Sequence, residues 1–98
     1  MRKNMGFGRE FADTVALKAL GWLVAQEEIL PVFLGASGTA PAELRERAGE
    51  PDFLLSVLDF IVMDDAWVTA FCDAAGLDYS APMTARAALP GGGDMSWT

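Results

Sequence analysis

Three aspartates form the densest group of polar side chains in an otherwise apolar part of the sequence. Asp59, Asp64 and Asp65 lie in a stretch, residues 52–76, that is mostly apolar. Neighbouring carboxylates can bind a hard cation or act as a general acid and base. Adjacent aspartates at a helix start also cap backbone N–H groups and suit the helix dipole. Because Asp64–Asp65 lacks the alternating oxygen ligands and central glycine of a calcium loop, capping is the favoured interpretation, and we expect no metal site.

Asp59 is a candidate contact for a protein partner. It follows Ser56 by three residues, and the two are the only polar pair on a predicted helix that is otherwise apolar all round. A solvent-facing helix edge explains the pair, and a partner contact is the alternative. We extend that alternative to Asp64 and Asp65, and also to Trp97, whose large ring stands in a polar C-terminal segment.

The sequence offers few groups for catalysis. It contains no histidine, which excludes Ser-His and Cys-His pairs and imidazole metal sites. The single cysteine, Cys72, excludes an internal disulfide and is predicted to be a small buried hydrophobe among Phe71, Ala74 and Ala75. The glycines at 91–93 follow a predicted helix rather than precede one, so they are not a phosphate cradle. We therefore expect no catalytic residue and no cofactor, and an enzyme that uses carboxylates alone is the less favoured interpretation.

The charge distribution bears on partners and location. The 98 residues carry a formal net charge of −7, and no Lys or Arg lies between Ala48 and Ala85, where seven acidic residues do. Such a surface repels nucleic acid and anionic lipid, so we expect neither as a partner; it favours a basic protein, although solubility alone is the simpler explanation. Glu10, Asp13 and Lys18 interrupt any signal-peptide core, and no uncharged run is long enough to span a bilayer. We expect a cytoplasmic protein.

Apolar periodicity and capping signals predict helices throughout the chain. The first three are a helix over Phe11–Ala25, a short one that begins near Glu27 or Glu28 and ends at Gly35–Gly38, and a third capped by Thr39 that stops at Gly49. The next two are Asp52–Met63, capped by Asp52, and Ala66–Ala75, capped by Asp64 or Asp65 and stopped by Gly76; a last helix opens at Ser80 with Pro82 and reaches Leu89. The predicted fold is all-α, a compact single-domain bundle of five or six short helices over residues 9–90, with a flexible basic arm (1–8) and a disordered tail (91–98).

The apolar residues predict both a core and a way to associate. The expected core consists of Trp22, Phe33, Leu54, Leu58, Ile61, Trp67 and Phe71. The first helix carries a wider apolar arc than a surface helix needs. A homodimer through Leu17, Leu20 and Val24 would cover that arc, and so would the second and last helices of the same chain.

Two resemblances are visible in the sequence. Residues 39–60 resemble the first two helices of a helix-turn-helix unit, but the second presents Phe53, Leu54 and Asp59 in place of base-reading Arg, Lys, Asn or Gln, so DNA binding is not expected. The second resemblance covers residues 16–89, which contain in this order the blocks A-L-K-A-L-G-W-L, F-L-G-A-S-G, A-E-L-R-E-R-A, P-D-F-L-L-S-V-L-D-F-I-V-M-D-D, F-C-D-A-A-G-L-D and A-R-A-A-L-P. In the order and spacing of these blocks, the chain is similar to a proteobacterial family of small helical proteins known only as a domain of unknown function. This resemblance implies an all-helical cytoplasmic protein and brings no activity, cofactor or catalytic residue.

The favoured function is therefore a non-catalytic helical interaction module, whose acidic face binds a protein partner or a second copy of the chain. A domain that binds a small apolar ligand between its helices is the alternative. The two differ in what the structure should contain, because a ligand site needs a sizeable internal cavity and a docking surface needs an exposed apolar patch.

Overall fold

A computed structural model describes residues 8–91, and within that range the chain is helical with no strand. The helices are α1 Arg9–Val24, α2 Leu30–Ser37, α3 Leu44–Arg47, α4 Pro51–Ile61, α5 Asp65–Ala75 and α6 Ala81–Ala88, with a 3-10 turn at Pro41–Glu43 before α3. The radius of gyration is 13.1 Å, close to the value of about 13 Å typical of a compact domain of 100 residues. The prediction of an all-α single-domain bundle is confirmed. The predicted arm and tail lie almost wholly outside the described residues, as does Trp97.

Helix α1 is the central element of the bundle, and α4, α5 and α6 pack against it. Its buried face carries three alanines, Ala12, Ala16 and Ala19, at spacings of four and three residues. These small side chains let neighbouring helices approach α1 closely, and the buried Val15 and Leu23 belong to the same face. No helix within residues 8–91 is both long enough and apolar enough to cross a membrane.

Several predicted helix ends are confirmed by their geometry. The Asp64 carboxylate caps α5 by accepting hydrogen bonds from the backbone N–H groups of Ala66 at 2.8 Å and Trp67 at 3.4 Å. Gly76 ends α5 and Gly38 ends α2, both in the left-handed conformation with φ of +70°. Pro31 lies in the first turn of α2, where no intrahelical partner is lost.

Two predicted caps are wrong. Helix α4 begins at Pro51, so Asp52 lies inside the first turn and its side chain makes no capping hydrogen bond. Thr39 caps no helix; it is buried, and its hydroxyl accepts a hydrogen bond from Arg47 Nη1 at 3.3 Å. Instead, the Glu43 carboxylate accepts a hydrogen bond from the Ala40 N–H at 2.9 Å, and Ala40, one residue after Thr39, is the residue that precedes the 3-10 turn. The single third helix expected here is a 3-10 turn followed by a four-residue helix.

The core is largely as predicted. Phe33, Leu54, Leu58, Ile61 and Phe71 are buried. The two tryptophans expected with them are only half-buried and pack against the edge of the core. The sequence pattern places Trp residues correctly on the inward side of each helix, but their size carries the rings out to the surface.

The apolar arc of α1 divides into two parts. Leu20 is buried, with 7% of its surface exposed, so it belongs to the core and cannot form part of an exposed dimer surface as expected. Leu17 and Val24 are 47% and 46% exposed. Packing of α4, α5 and α6 on α1 therefore covers most of the arc within one chain and leaves these two side chains in solvent.

Candidate functional site

The strongest candidate site is an open groove between α2 and α4, called here the α2–α4 groove, with a volume of about 190 Å³. It is lined by Phe33, Ala36, Ser37, Ser56, Asp59, Phe60 and Met63. Helix α2 contributes one wall, and α4 with Met63 in the turn after it contributes the other, because spacings of three and four residues put these side chains on facing sides. The sequence pattern indicated Asp59 and Ser56 as a polar pair, but the groove itself has no signal in the sequence.

Two aromatic rings form the floor of the α2–α4 groove. Phe33 and Phe60 meet edge to face with their centroids 5.3 Å apart, and only 1% and 7% of their surfaces are exposed. Phe60 also stacks on Trp67 of α5 at 4.8 Å. At the rim, the Met63 side chain is 75% exposed. The floor is therefore rigid, and the rim is a flexible apolar side chain that can adapt to an occupant.

The hydroxyl groups in the groove are already engaged as donors. Ser56 Oγ donates to the Phe53 carbonyl oxygen at 2.6 Å, and Ser37 Oγ donates to the Leu34 carbonyl oxygen at 3.5 Å. Each serine thus bonds to its own helix one turn back and keeps only acceptor capacity towards the groove. The polar side of the groove favours an occupant that donates hydrogen bonds.

Asp59 forms a salt bridge with Arg86 of α6. The two residues are 27 positions apart, so the pairing depends on α4 and α6 packing side by side. The arginine side chain is 24% exposed and the carboxylate 45% exposed, which leaves part of Asp59 open to solvent. The sequence contains one indication of this salt bridge. Arg86 is the one basic residue after Arg47, so it is the only basic residue downstream of Asp59 that could pair with it.

The other predicted partner contacts lie away from the groove. Asp64 serves as the cap of α5, and Asp65 is exposed as the first residue of that helix. The structure therefore does not bring them together with Asp59, and their role in partner binding stays a prediction. Within residues 8–91, no cluster of three or more Cys, Asp or Glu side chains is arranged to hold a metal ion.

The only cysteine is buried near the start of α6. Cys72 is fully buried, and its thiol donates to the Asp78 carbonyl oxygen at 3.4 Å. Burial raises the pKa of the Cys72 thiol, and the negative charges of Asp73 and Asp78 raise it further. A thiol that is buried and has a raised pKa is a poor nucleophile.

Hydrogen bonds tie down the α5–α6 connection around this cysteine. The Asp78 carboxylate accepts from the Ser80 hydroxyl at 2.6 Å and from its N–H at 3.4 Å, and these bonds lower the pKa of Asp78. Tyr79 donates its hydroxyl proton to Asp73 at 2.8 Å, which raises the pKa of Tyr79. Each polar group already has a local partner, so this cluster stabilises the connection and presents no free catalytic group.

A second groove lies between α1 and α5, called here the α1–α5 groove. It has a volume of about 270 Å³ and is lined by Lys18, Trp22, Phe71, Ala74 and Ala75. The Trp22 and Phe71 rings are tilted against each other at 6.1 Å. The two alanines keep the α5 wall low, so the groove is shallow and open along one side of α1.

These features define a small single-domain helical protein whose described residues form open grooves on its surface. Residues 9–92 match the sequence model of a family described as "Protein of unknown function (DUF3572)", and the chain belongs to that family. The predicted resemblance to a domain of unknown function is confirmed. No curated protein and no solved structure matches the chain.

Proposed function

We propose that the protein is a non-catalytic helical interaction module that docks an amphipathic helix of a basic protein partner in the α2–α4 groove. The observation that carries this proposal is the combination of a buried aromatic floor, an exposed methionine rim and an acidic edge in one open groove. Grooves of this kind accept the apolar face of a partner helix through anchors spaced three or four residues apart.

The size of the groove favours side-chain anchors over a whole small molecule. Its volume of about 190 Å³ lies below the range of about 300–1,000 Å³ typical of small-molecule sites. Such a space holds one or two apolar side chains of a partner, with the rest of the partner lying over Ala36 and Met63. This is the reason for preferring a docking surface to the apolar-ligand alternative.

Charge favours a basic partner. Asp52, Ser56 and Asp59 of α4, and Met63 just beyond its end, follow one another at spacings of four, three and four residues, so Asp52 lies on the same side of α4 as the groove-lining Asp59. Arg86 offsets the charge of Asp59, which leaves the exposed Asp52 as the main acid of this face, and the sequence has no Lys or Arg between Ala48 and Ala85. A second copy of the chain would bring the same net charge of −7 to the contact, which disfavours self-association at this surface.

The absence of catalysis is part of the proposal. The sequence has no histidine, and the only thiol is buried and hydrogen-bonded to a backbone carbonyl. The Asp59 carboxylate in the groove pairs with Arg86, which suits a structural and electrostatic role. We therefore assign the groove to recognition.

The test compares two exposed methionines. A partner captured by cross-linking is identified, purified and titrated against wild type, Met63→Lys and Met83→Lys. Met63 and Met83 are 75% and 54% exposed, but only Met63 lines the groove. We expect Met63→Lys to weaken binding by about tenfold or more, as loss of a central apolar anchor does, and Met83→Lys to leave it unchanged. Asp52→Asn should weaken binding less and reduce its dependence on salt.

Equal affinities for wild type and Met63→Lys would refute the α2–α4 groove as the docking site, and so would equal losses in the two lysine variants. A partner with an acidic contact surface would refute the electrostatic part. A rise in melting temperature with apolar small molecules, abolished by Met63→Lys, would replace the proposal with the ligand-binding alternative.

A further inference from the structure

The outward side of α1 carries an exposed apolar ridge, made of Leu17, Gly21 and Val24, called here the α1 ridge. The spacings of four and three residues align the three positions along one side of the helix. Nearly half of each large side chain is exposed, at 47% for Leu17 and 46% for Val24. Between them a Cβ on Gly21 would meet no atom within 4 Å, so the ridge has a notch at its centre.

The α1–α5 groove lies beside the α1 ridge. Lys18 and Trp22 follow Leu17 and Gly21 by one residue each, which turns them about 100° around the helix and into the groove. One continuous face therefore holds a projecting element and a recess next to each other. A two-fold symmetric contact requires this property, because the same patch must supply both the knob and the hole.

Charge distinguishes helix α1 from the acidic remainder of the protein. Helix α1 contains two basic and two acidic residues, Arg9, Lys18, Glu10 and Asp13, so its formal charge is zero in a chain of net charge −7. The groove contributes a single charged lining residue, Lys18. Helix α5, the other wall of the groove, adds Asp65 and Asp73 and no basic residue, so the contact meets least repulsion when the two neutral α1 helices lie at its centre.

We propose that this face is the contact between two copies of the chain, with the Leu17 and Val24 side chains of each copy packed against the α1–α5 groove of the other. The Gly21 notch lets the two α1 helices approach closely. This contact is separate from the α2–α4 groove, so a dimer presents two partner-binding grooves, and failure of either proposal leaves the other standing.

The decisive experiment changes Gly21 without harming the fold. Gly21→Gln places a long neutral side chain in the notch while replacing glycine with a better helix former. Gly35→Gln is the matched control, because Gly35 is also an exposed glycine within a helix with no atom within 4 Å of a Cβ. Light scattering across the micromolar range measures the mass, and thermal unfolding of dilute samples measures the fold.

For the wild type we expect the mass to rise with concentration towards twice the monomer's 10.5 kDa. Gly21→Gln should weaken this association by about tenfold or more with no loss of monomer stability, and Gly35→Gln should leave it unchanged. Leu17→Gln should act in the same direction as Gly21→Gln. Added salt should strengthen the dimer, since it screens the repulsion between two acidic chains.

A wild-type mass near 10.5 kDa throughout the concentration range would overturn the proposal. A dimer that is as tight in Gly21→Gln as in wild type would overturn it as well, because the contact would then lie elsewhere. Equal weakening by Gly21→Gln and Gly35→Gln would also count against the α1 face.

Discussion

At the scale of single residues, the role of Asp59 depends on a residue that is distant in the sequence. On α4 alone it is an acid on an apolar helix, and in the folded chain it pairs with Arg86 of α6. The pair links two helices that both pack on α1, and it leaves part of the carboxylate exposed at the edge of the α2–α4 groove. One side chain therefore contributes to helix packing and to the charge of the candidate site.

A double-mutant cycle should measure this pairing. We expect a coupling free energy of up to about 1 kcal/mol between Asp59→Asn and Arg86→Gln in urea unfolding, decreasing at high salt, because half-exposed ion pairs are weak and screened. The exposed pair Arg9–Asp13 within α1 is the reference, and its coupling should be smaller. Additive effects of the two substitutions would show that the salt bridge does not contribute to stability.

Leu58 should be among the residues that contribute most to stability. Its side chain is fully buried, so Leu58→Ala should lower the free energy of unfolding by about 2–5 kcal/mol through lost burial and the cavity left behind. Met83→Ala removes a side chain that is 54% exposed and should change it by no more than about 0.5 kcal/mol. Chemical denaturation compares the two; a Leu58→Ala midpoint near that of wild type would contradict the packing of α4.

At the scale of helices, the ends follow local chemistry where the capping residue is unambiguous. Asp64 and Gly76 bound α5 as the sequence predicts, since one accepts from free N–H groups and the other adopts a positive φ. The start of α4 illustrates the opposite case. Pro51 enters the first turn and moves the helix start one residue ahead of Asp52, so a good capping residue is not used as a cap.

Removal of the α5 cap should destabilise the protein selectively. Asp64→Ala should cost about 0.5–2 kcal/mol because two N–H groups lose their acceptor. Asp64→Ser keeps an acceptor and should restore most of the loss, and Asp65→Ala should have the smaller effect of a charge near the helix dipole. The measurement is urea unfolding of the three variants, and similar losses in Asp64→Ala and Asp65→Ala would rule out the capping role.

Two glycines should respond in opposite directions to the same substitution. Gly76→Ala should destabilise the protein by about 1 kcal/mol, because φ of +70° is unfavourable for a residue with a Cβ. Gly35→Ala should stabilise it by about 0.5–1 kcal/mol, because Gly35 lies inside α2 in open space. Thermal unfolding measures both changes in stability. Destabilisation by Gly35→Ala would mean that α2 is not a regular helix at this position.

At the scale of the whole molecule, α1 organises the fold. Helices α4, α5 and α6 all pack against it, and α2 joins the same core through Phe33, which contacts Phe53 and Phe60 of α4 edge to face. A single core shared by these helices implies that none of them has a separate source of stability.

Unfolding should therefore be a single cooperative transition. Tryptophan fluorescence in a Trp97→Phe background reports on Trp22 of α1 and Trp67 of α5, and far-ultraviolet circular dichroism reports on all helices. We expect the two signals to give the same midpoint and slope in urea. Helical signal lost before the change in fluorescence would reveal that part of the bundle, such as α2, unfolds on its own.

The helical fold class was determined by the sequence alone, because it depends on local patterns: apolar periodicity, the Asp64 cap, and glycine stops at Gly38 and Gly76. The buried positions of Phe33, Leu58 and Phe71 follow from the same periodicity. The α2–α4 groove, the Asp59–Arg86 pair and the burial of Leu20 beside the exposed Leu17 were decided only by the tertiary structure. Helix periodicity gives the face on which a side chain lies, but which faces meet depends on how separate helices cross, and that geometry is set by the packing of the entire core.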